Sequence, residues 1–355
     1  MPELTESIVA KLRPPRDGGS SREVRTGHAR GDVRSEVEAY RSLHDSGGGS
    51  SAARKDRYAE MVKSYYNLVT DIYERGWGES FHFAPRFRGE PFEVSIRRHQ
   101  HYIALRLGLS RDERALDVGC GVGGPMREIA RFTGARVTGV NINTYQVAKV
   151  REYNRRARLD DRCDVIEADF MKVPRTEGSF DAIYAFEATC HAPDKTALLR
   201  ELSRLLKPGG QIALYEWCLT DRYDANNPEH VKIKRDIEEG NGLPDIWTTQ
   251  GTHACFQEAG FHVLDVHDRA FEGDRELPWY FSLSGKEFSN TGLRRSRVGK
   301  VMVKALTRTL EAARIAPKGT AQITDFLNTG ADALVRSGEL GIFTPMAFFL
   351  AQKPR

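Results

Sequence analysis

An acid set directly before a cluster of glycines, Asp117 in LDVGCGVGG (116–124), is the pattern in this chain best suited to gripping a small charged ligand. Glycine tolerates positive φ and lets a ligand approach the backbone with no Cβ in the way. Glycine-rich turns also cradle the pyrophosphate of dinucleotides, so the glycines alone discriminate poorly. The acid discriminates better: it suits a cation, such as the amino group of S-adenosylmethionine, and suits an anion badly. Asp117, Gly119, Cys120, Gly121 and Gly123 are therefore candidate cofactor contacts. Asp169 is placed to accept from an adenine amino group, with Phe170 covering the ring, and Glu187 stands beside the same site.

These residues need strands that end together. ALDVGC (115–120), RVTGV (136–140), CDVIEAD (163–169), FDAIYAFEA (180–188) and GQIALYEW (210–217) read as strands. Helical stretches are expected at 125–132, 144–158, 195–206 and 249–259, with further strands at 261–268 and 342–352. Strands alternating with helices predict a doubly wound sheet, with ligands at the carboxyl ends of its strands. The expected fold is α/β, the Rossmann-like class I S-adenosylmethionine-dependent methyltransferase fold with a mainly parallel seven-stranded sheet and helical insertions. At the end of the second strand this fold commonly carries an acid for the ribose hydroxyls. Here VTGVNINTYQ offers Asn141, Asn143 and Gln146, which can bond a diol without charge.

Upstream, Met61, Val62, Tyr65, Leu68, Val69 and Ile72 recur at helical spacing from Tyr58. That helix runs into YERGWGESFHFAPRF (73–87), where Gly76 and Gly78 should break it. The divisions expected are a largely disordered arm over 1–55, a helical and aromatic segment over 56–110, a cofactor-binding core over 111–270, and a helical insertion with the final strand over 271–355. In that insertion, apolar residues from Val298 to Leu310 share a face with interspersed Arg and Lys. They read as a packed helix with a solvated basic side, or as a membrane-facing surface.

Bulk properties exclude several classes. Net charge is only +4 over 355 residues, and no basic-aromatic stripe marks a nucleic-acid binder. Five scattered cysteines, with no C-x-x-C pair, argue against a disulfide framework and a zinc site, and no metal is expected. No apolar run reaches the ~18–20 residues of a membrane span, and the N-terminus lacks the pattern of a secretory signal.

YERGWGESFHF (73–83), LDVGCGVGGPMREIARF (116–132), FEATCHAP (186–193), YEWCLTD (215–221) and IFTPMAFF (342–349) together give the chain a resemblance to the sterol C-24 methyltransferases, running from about Tyr58 to the C-terminus. WGESFHF, YEWC and GNGLPDI (240–246) are closer to the cycloartenol-type plant and algal members. Phe186, where the family usually has an aliphatic residue, and Ile142, which interrupts a run of Asn, are departures. The resemblance implies a reaction in which the sterol side-chain double bond attacks the sulfonium methyl. Positive charge then forms at carbon 25, a hydride moves from carbon 24, and a proton is lost to give a 24-methylene product.

That chemistry needs an apolar pocket, stabilisation of a buried cation and a late base. Tyr73, Trp77, Phe81, Phe83, Trp217, Trp279 and Tyr280 are candidate sterol contacts, because ring faces attract cations. PWYFSL (278–283) reads as part of a lid over the pocket. Glu74, His82, Glu187, His191 and Glu216 are candidate bases, with Glu74, His82 and Glu216 foremost; spacing alone does not choose among them. The family implies a homo-oligomer at the cytoplasmic face of the endoplasmic reticulum or in the cytosol, meeting the membrane peripherally to collect its sterol. The competing readings are a methyltransferase for another lipid-like acceptor (a tocopherol-type phenol or an unsaturated acyl chain) and a non-catalytic sterol-binding protein.

Overall fold

A computed structural model describes residues 34–285, 311 and 319–355. Its centre is a seven-stranded sheet: β1 (Arg114–Val118), β2 (Arg136–Asn141), β3 (Cys163–Glu167), β4 (Phe180–Phe186), β5 (Leu206–Leu219), β6 (His262–Asp268) and β7 (Phe343–Gln352), in the order β3-β2-β1-β4-β5-β7-β6. The first five pair in parallel; β7 runs antiparallel between β5 and β6. The expected class I methyltransferase fold is thus present. The order reverses between β1 and β4, the switch point at which a doubly wound sheet leaves a crevice for a ligand. In register there, Asp117 of β1 lies opposite Gly139 of β2 and Tyr184 of β4.

Both faces of the sheet are covered, which explains why its strands carry apolar runs with little alternation. Helices α5 (Gly124–Thr133) and α6 (Thr144–Arg156) follow β1 and β2, while α7 (Lys195–Leu205) follows β4 and α9 (Thr249–Glu258) precedes β6. Leu116, Ile183, Ile212, Leu214 and Phe349 pack with the leucines of α7 on one face. Met126, Ile129, Val147, Val150, Tyr184 and Phe348 pack on the other. Asn143 caps α6 and Asp194 caps α7, each accepting from a backbone N–H of the first turn.

The N-terminal region departs from expectation. The arm was expected to be largely disordered through residue 55, yet α1 (Arg34–Gly49) and α2 (Ser51–Asp56) are helical. Val37, Tyr40 and Leu43 recur every three residues and are buried, and the Tyr40 hydroxyl donates to Glu239 O at 2.5 Å. The glycine-rich composition obscured a short apolar stripe. Arg54 is buried too, donating to Pro244 O and Glu238, both at 2.9 Å. The second departure is at Gly76: α3 (Tyr58–Trp77) continues through it and stops only at Gly78, whose φ of 72° suits glycine. Next comes α4 (Phe92–Arg106).

A third departure is α8 (Pro228–Asn241), a helix that was not expected between the strand at 210–217 and the helix at 249–259. Its buried face is thin, comprising Ile233, Ile237, Glu238 and Gly240, and the helix packs on α10 (Thr320–Leu340). The two helices touch backbone to backbone, since a Cβ on Gly240 would lie 2.5 Å from Gly330 Cα. The basic helical face expected between 298 and 310 lies outside the described residues.

Candidate active site

The turn after β1 has the form its glycines imply. Gly119 has φ 70° and faces Ala188, whose Cβ would be 2.4 Å from an added Cβ. Gly123 has φ 82° and opens α5. Gly124 serves a different purpose from the one expected: a Cβ there would lie 2.1 Å from Glu79 O, and its N–H donates to that oxygen at 3.1 Å. The aromatic segment is therefore docked directly on the glycine turn. Buried Arg127 holds the other side of the joint, donating to Glu79 at 2.6 Å and to Asn154 at 3.1 Å.

Beneath this turn Asp117 is 2% exposed, with the buried Tyr184 hydroxyl of β4 as its polar neighbour. Burial pushes its pKa up to about 7. A buried carboxylate beneath a glycine turn, with no cationic side chain among the described residues bonded to it, is the feature expected of a site for an ammonium group, so the residues fit S-adenosylmethionine. A hydrogen bond to a charged group contributes about 1.5–3 kcal/mol. Replacing Asp117 with Asn should therefore weaken cofactor binding roughly 10- to 100-fold by calorimetry, with little change in sterol affinity.

The other cofactor candidates divide. Asn141 donates to Gly121 O at 3.0 Å and to Gln146 at 2.8 Å, fixing the turn. Asn143 reaches Asn67 at 2.8 Å, and Gln146 donates to Thr70 at 3.0 Å, so both tie α6 to α3. Asp169 accepts from the Tyr58 hydroxyl and from Met171 N. Phe170 is partly buried against the core. Cys120 turns inward, to within 2.6 Å of where a Gly139 Cβ would be, and can offer a ligand only its backbone.

Beyond Glu187 opens a cavity of about 380 Å³, within the range of ligand pockets. Tyr73, Trp77, Phe81, Phe83 and Trp217 line it, as do Tyr65 and Tyr66 from α3 and Leu327, Asn328, Ala331 and Leu334 from α10. Trp279 and Tyr280, expected on the substrate, do not line it. Trp279 is 5.1 Å from the Phe83 ring, backing the wall, and both residues cover Gly338 of α10. From the PWYFSL segment only Leu283 reaches the cavity.

The expected bases are sorted by what they touch. Glu74 does not line the cavity; it accepts from Lys149 at 2.7 Å and Tyr153 at 2.6 Å on the α6 side. Glu216 also lies elsewhere, buried with Lys195 at 2.7 Å and the Thr189 hydroxyl. His82 lines the cavity, but both ring nitrogens are committed: Nδ1–H donates to Phe83 O at 2.7 Å, and Nε2 accepts from Gln100 at 2.8 Å. Burial lowers its pKa to about 4, and its ring stacks on Phe186 at 4.8 Å. His191 is held between Tyr66 and Gly242 O, with its pKa likewise lowered to about 4 by burial.

Glu187 differs from all of these. It is the one carboxylate among the described residues that line the cavity. Its backbone sits at φ 54°, a region costly for a residue with a side chain. Phe83 N donates to one oxygen at 2.6 Å and Trp217 Nε1 to the other at 2.8 Å. Burial outweighs these bonds and lifts its pKa to about 8.

Comparison with known proteins decides the family. A profile described as "Methyltransferase domain" matches residues 116–214, and one described as "Sterol methyltransferase C-terminal" matches 290–355. The cycloartenol-C-24-methyltransferase of Arabidopsis thaliana is 49% identical over 91% of this chain and 96% of its own length. The chain belongs to the sterol 24-C-methyltransferases. The Saccharomyces cerevisiae sterol 24-C-methyltransferase is 46% identical over 85% of this chain and 80% of its own. Two solved structures share the fold at low identity. The Mycobacterium tuberculosis cyclopropane synthase has TM-score 0.65 at 15% identity, covering 83% of this chain and 98% of its own. Geranyl diphosphate C-methyltransferase from Streptomyces coelicolor has TM-score 0.60 at 18%, with the same coverage. Like the rest of its family, this chain is an S-adenosylmethionine-dependent methyltransferase.

Tyr66, which lines the cavity, and Tyr58, which donates to Asp169, are the residues the sequence reading missed. Both sit in the run of α3 taken as core spacing. Tyr66 is adjacent to buried Tyr65 and falls on the flank of the apolar stripe, a position that could have marked it.

Proposed function

We propose that this chain transfers a methyl group to carbon 24 of a Δ24 sterol, with cycloartenol as the favoured acceptor, giving a 24-methylene product. The observation that carries the reading is Glu187, the one carboxylate among the described residues that line the aromatic cavity, strained and buried. S-adenosylmethionine, when bound, supplies an electrophilic methyl group. Asp117 and the glycine turn hold and orient it. Tyr73, Trp77, Phe81 and Trp217 exclude water and face the sterol side chain with electron-rich rings, each contributing about 0.5–2 kcal/mol toward a cation. Glu187 is the group to receive the final proton, its donors Phe83 N and Trp217 Nε1 keeping the carboxylate aimed.

The preference for cycloartenol is supported by the plant relatives, at 49% and 47% identity, and by the motifs shared with that type. No helix among the described residues is long and apolar enough to cross a membrane. Because sterols have little aqueous solubility, the enzyme in this reading meets a membrane surface, such as the endoplasmic reticulum, peripherally. It works there as a homo-oligomer, as the family resemblance implies.

The test is product mass and retention after incubation with labelled S-adenosylmethionine and, separately, cycloartenol, zymosterol and 24-methylenelophenol. A monomethylated 24-methylene product, formed best from cycloartenol, is expected. Label in no sterol despite measured cofactor binding overturns the reading.

A further inference from the structure

Within the cavity that Glu187 lines stands a second device, and its hydrogen-bond directions are fixed by the backbone. Gly242, the left-handed residue ending α8, points its carbonyl at His191 Nδ1 at 2.9 Å. A carbonyl only accepts, so Nδ1 carries the proton and Nε2 is left as an acceptor. Tyr66 OH lies 3.0 Å from that Nε2, so the phenol donates to the imidazole. The phenol's one proton is thereby spent, and its remaining lone pairs belong to the cavity, which both residues line. Tyr66 is also within electrostatic range of Tyr73, Cys190 and Glu187, all of which line the cavity.

The arrangement is rigid at each link. Gly242 has φ 68°, and a Cβ there would be 2.9 Å from the Tyr65 ring, so neither its conformation nor its packing admits another residue easily. Burial keeps His191 neutral near pH 7 and keeps the Tyr66 proton on its oxygen. A neutral phenol acting as a pure acceptor offers negative potential to a cation without the risk of a nucleophilic phenolate capturing it.

We propose that the Tyr66 oxygen, held as an acceptor by His191, is a catalytic residue that stabilises the side-chain cation of the sterol, with His191 as its positioning residue. The inference rests on the sterol reading above. Glu187 then removes the proton while Tyr66 holds the charge, a division of labour that spares either group both tasks.

Its test is a binding ratio that needs no turnover. Affinity is measured, with the cofactor product present, for a sterol bearing a protonated amine at side-chain position 25 and for its neutral carbon isostere. Wild type should prefer the cationic sterol. Tyr66→Phe and His191→Leu should each reduce that preference about tenfold, leaving the neutral sterol bound as before. The double variant should lose no more than either single one, and His191→Gln, whose amide oxygen can replace Nε2, should keep most of the preference. Cofactor binding and Tm verify that each variant is folded. An unchanged preference, or equal weakening of both sterols, overturns the dyad while the sterol reading stands. Wild type binding neither sterol overturns both.

Discussion

Glu187→Gln lowers kcat by about 10²- to 10⁴-fold while leaving the KM for sterol within a few-fold, the loss expected when a positioned base is removed. The amide keeps the size of the side chain but accepts one hydrogen bond where the carboxylate accepts two, from Phe83 N and Trp217 Nε1. Single-turnover product analysis checks the prediction, and Glu74→Gln is its control. Glu74 bonds Lys149 and Tyr153 outside the cavity, so its loss should cost far less turnover. Equal losses from the two variants would remove Glu187 from the chemistry.

The same carboxyl predicts a pH signature. Its pKa of about 8 in the folded enzyme lies above the ordinary carboxylate value because burial disfavours the charge. A base must be ionised, so kcat/KM rises with pH through about 8 in wild type, and the Gln variant lacks that rise. Bound sulfonium, an opposite charge nearby, favours the carboxylate and moves the rise in kcat to lower pH. The linkage to stability has the opposite sense. A raised folded pKa contributes stability that is fully present below the unfolded value and is lost as pH climbs through the folded value. The Tm of the Gln variant relative to wild type should therefore improve as pH rises from about 4.5 to about 8 and level off above that.

The physical reasons why some of this was legible in the sequence, and some not, differ by residue. The cofactor turn was readable because its requirements are local: an acid, then glycines at positions where φ is positive. The sheet was readable because strand–helix alternation leaves few topologies. Helix α8 was not, because its apolar stripe is reduced to Ile233 and Ile237 and its close packing on α10 runs through Gly240 and Gly330, 90 positions apart. The choice among bases fell between these cases. Successive strand residues face opposite ways, so placing Trp217 in the cavity already turned Glu216 away from it. Period two thus held an answer that motif membership obscured. Selecting Glu187 required the tertiary structure, since its φ of 54° and its two donors come from different segments.

Lys195→Met is expected to destabilise the protein more than any change at the active site, for reasons independent of catalysis. Lys195 and Glu216 are 1% and 0% exposed and 2.7 Å apart, with Lys195 also donating to Thr189 O. Removing one partner of a buried pair leaves an uncompensated charge and typically costs about 3–5 kcal/mol, against a total stability of only ~5–15 kcal/mol. Urea unfolding should show that loss. The informative companion is Lys195→Met with Glu216→Leu, which buries apolar groups where charges stood and should recover most of the stability, because desolvation consumes much of a buried pair's attraction. If the double variant also methylates sterol at near wild-type rate, Glu216 serves the fold alone: it anchors the β5 strand and the start of α7, on the side of the sheet away from the cavity. A stable double variant with turnover reduced as severely as Glu187→Gln would instead return Glu216 to the reaction, and would mean that the cavity wall at Trp217 transmits its charge.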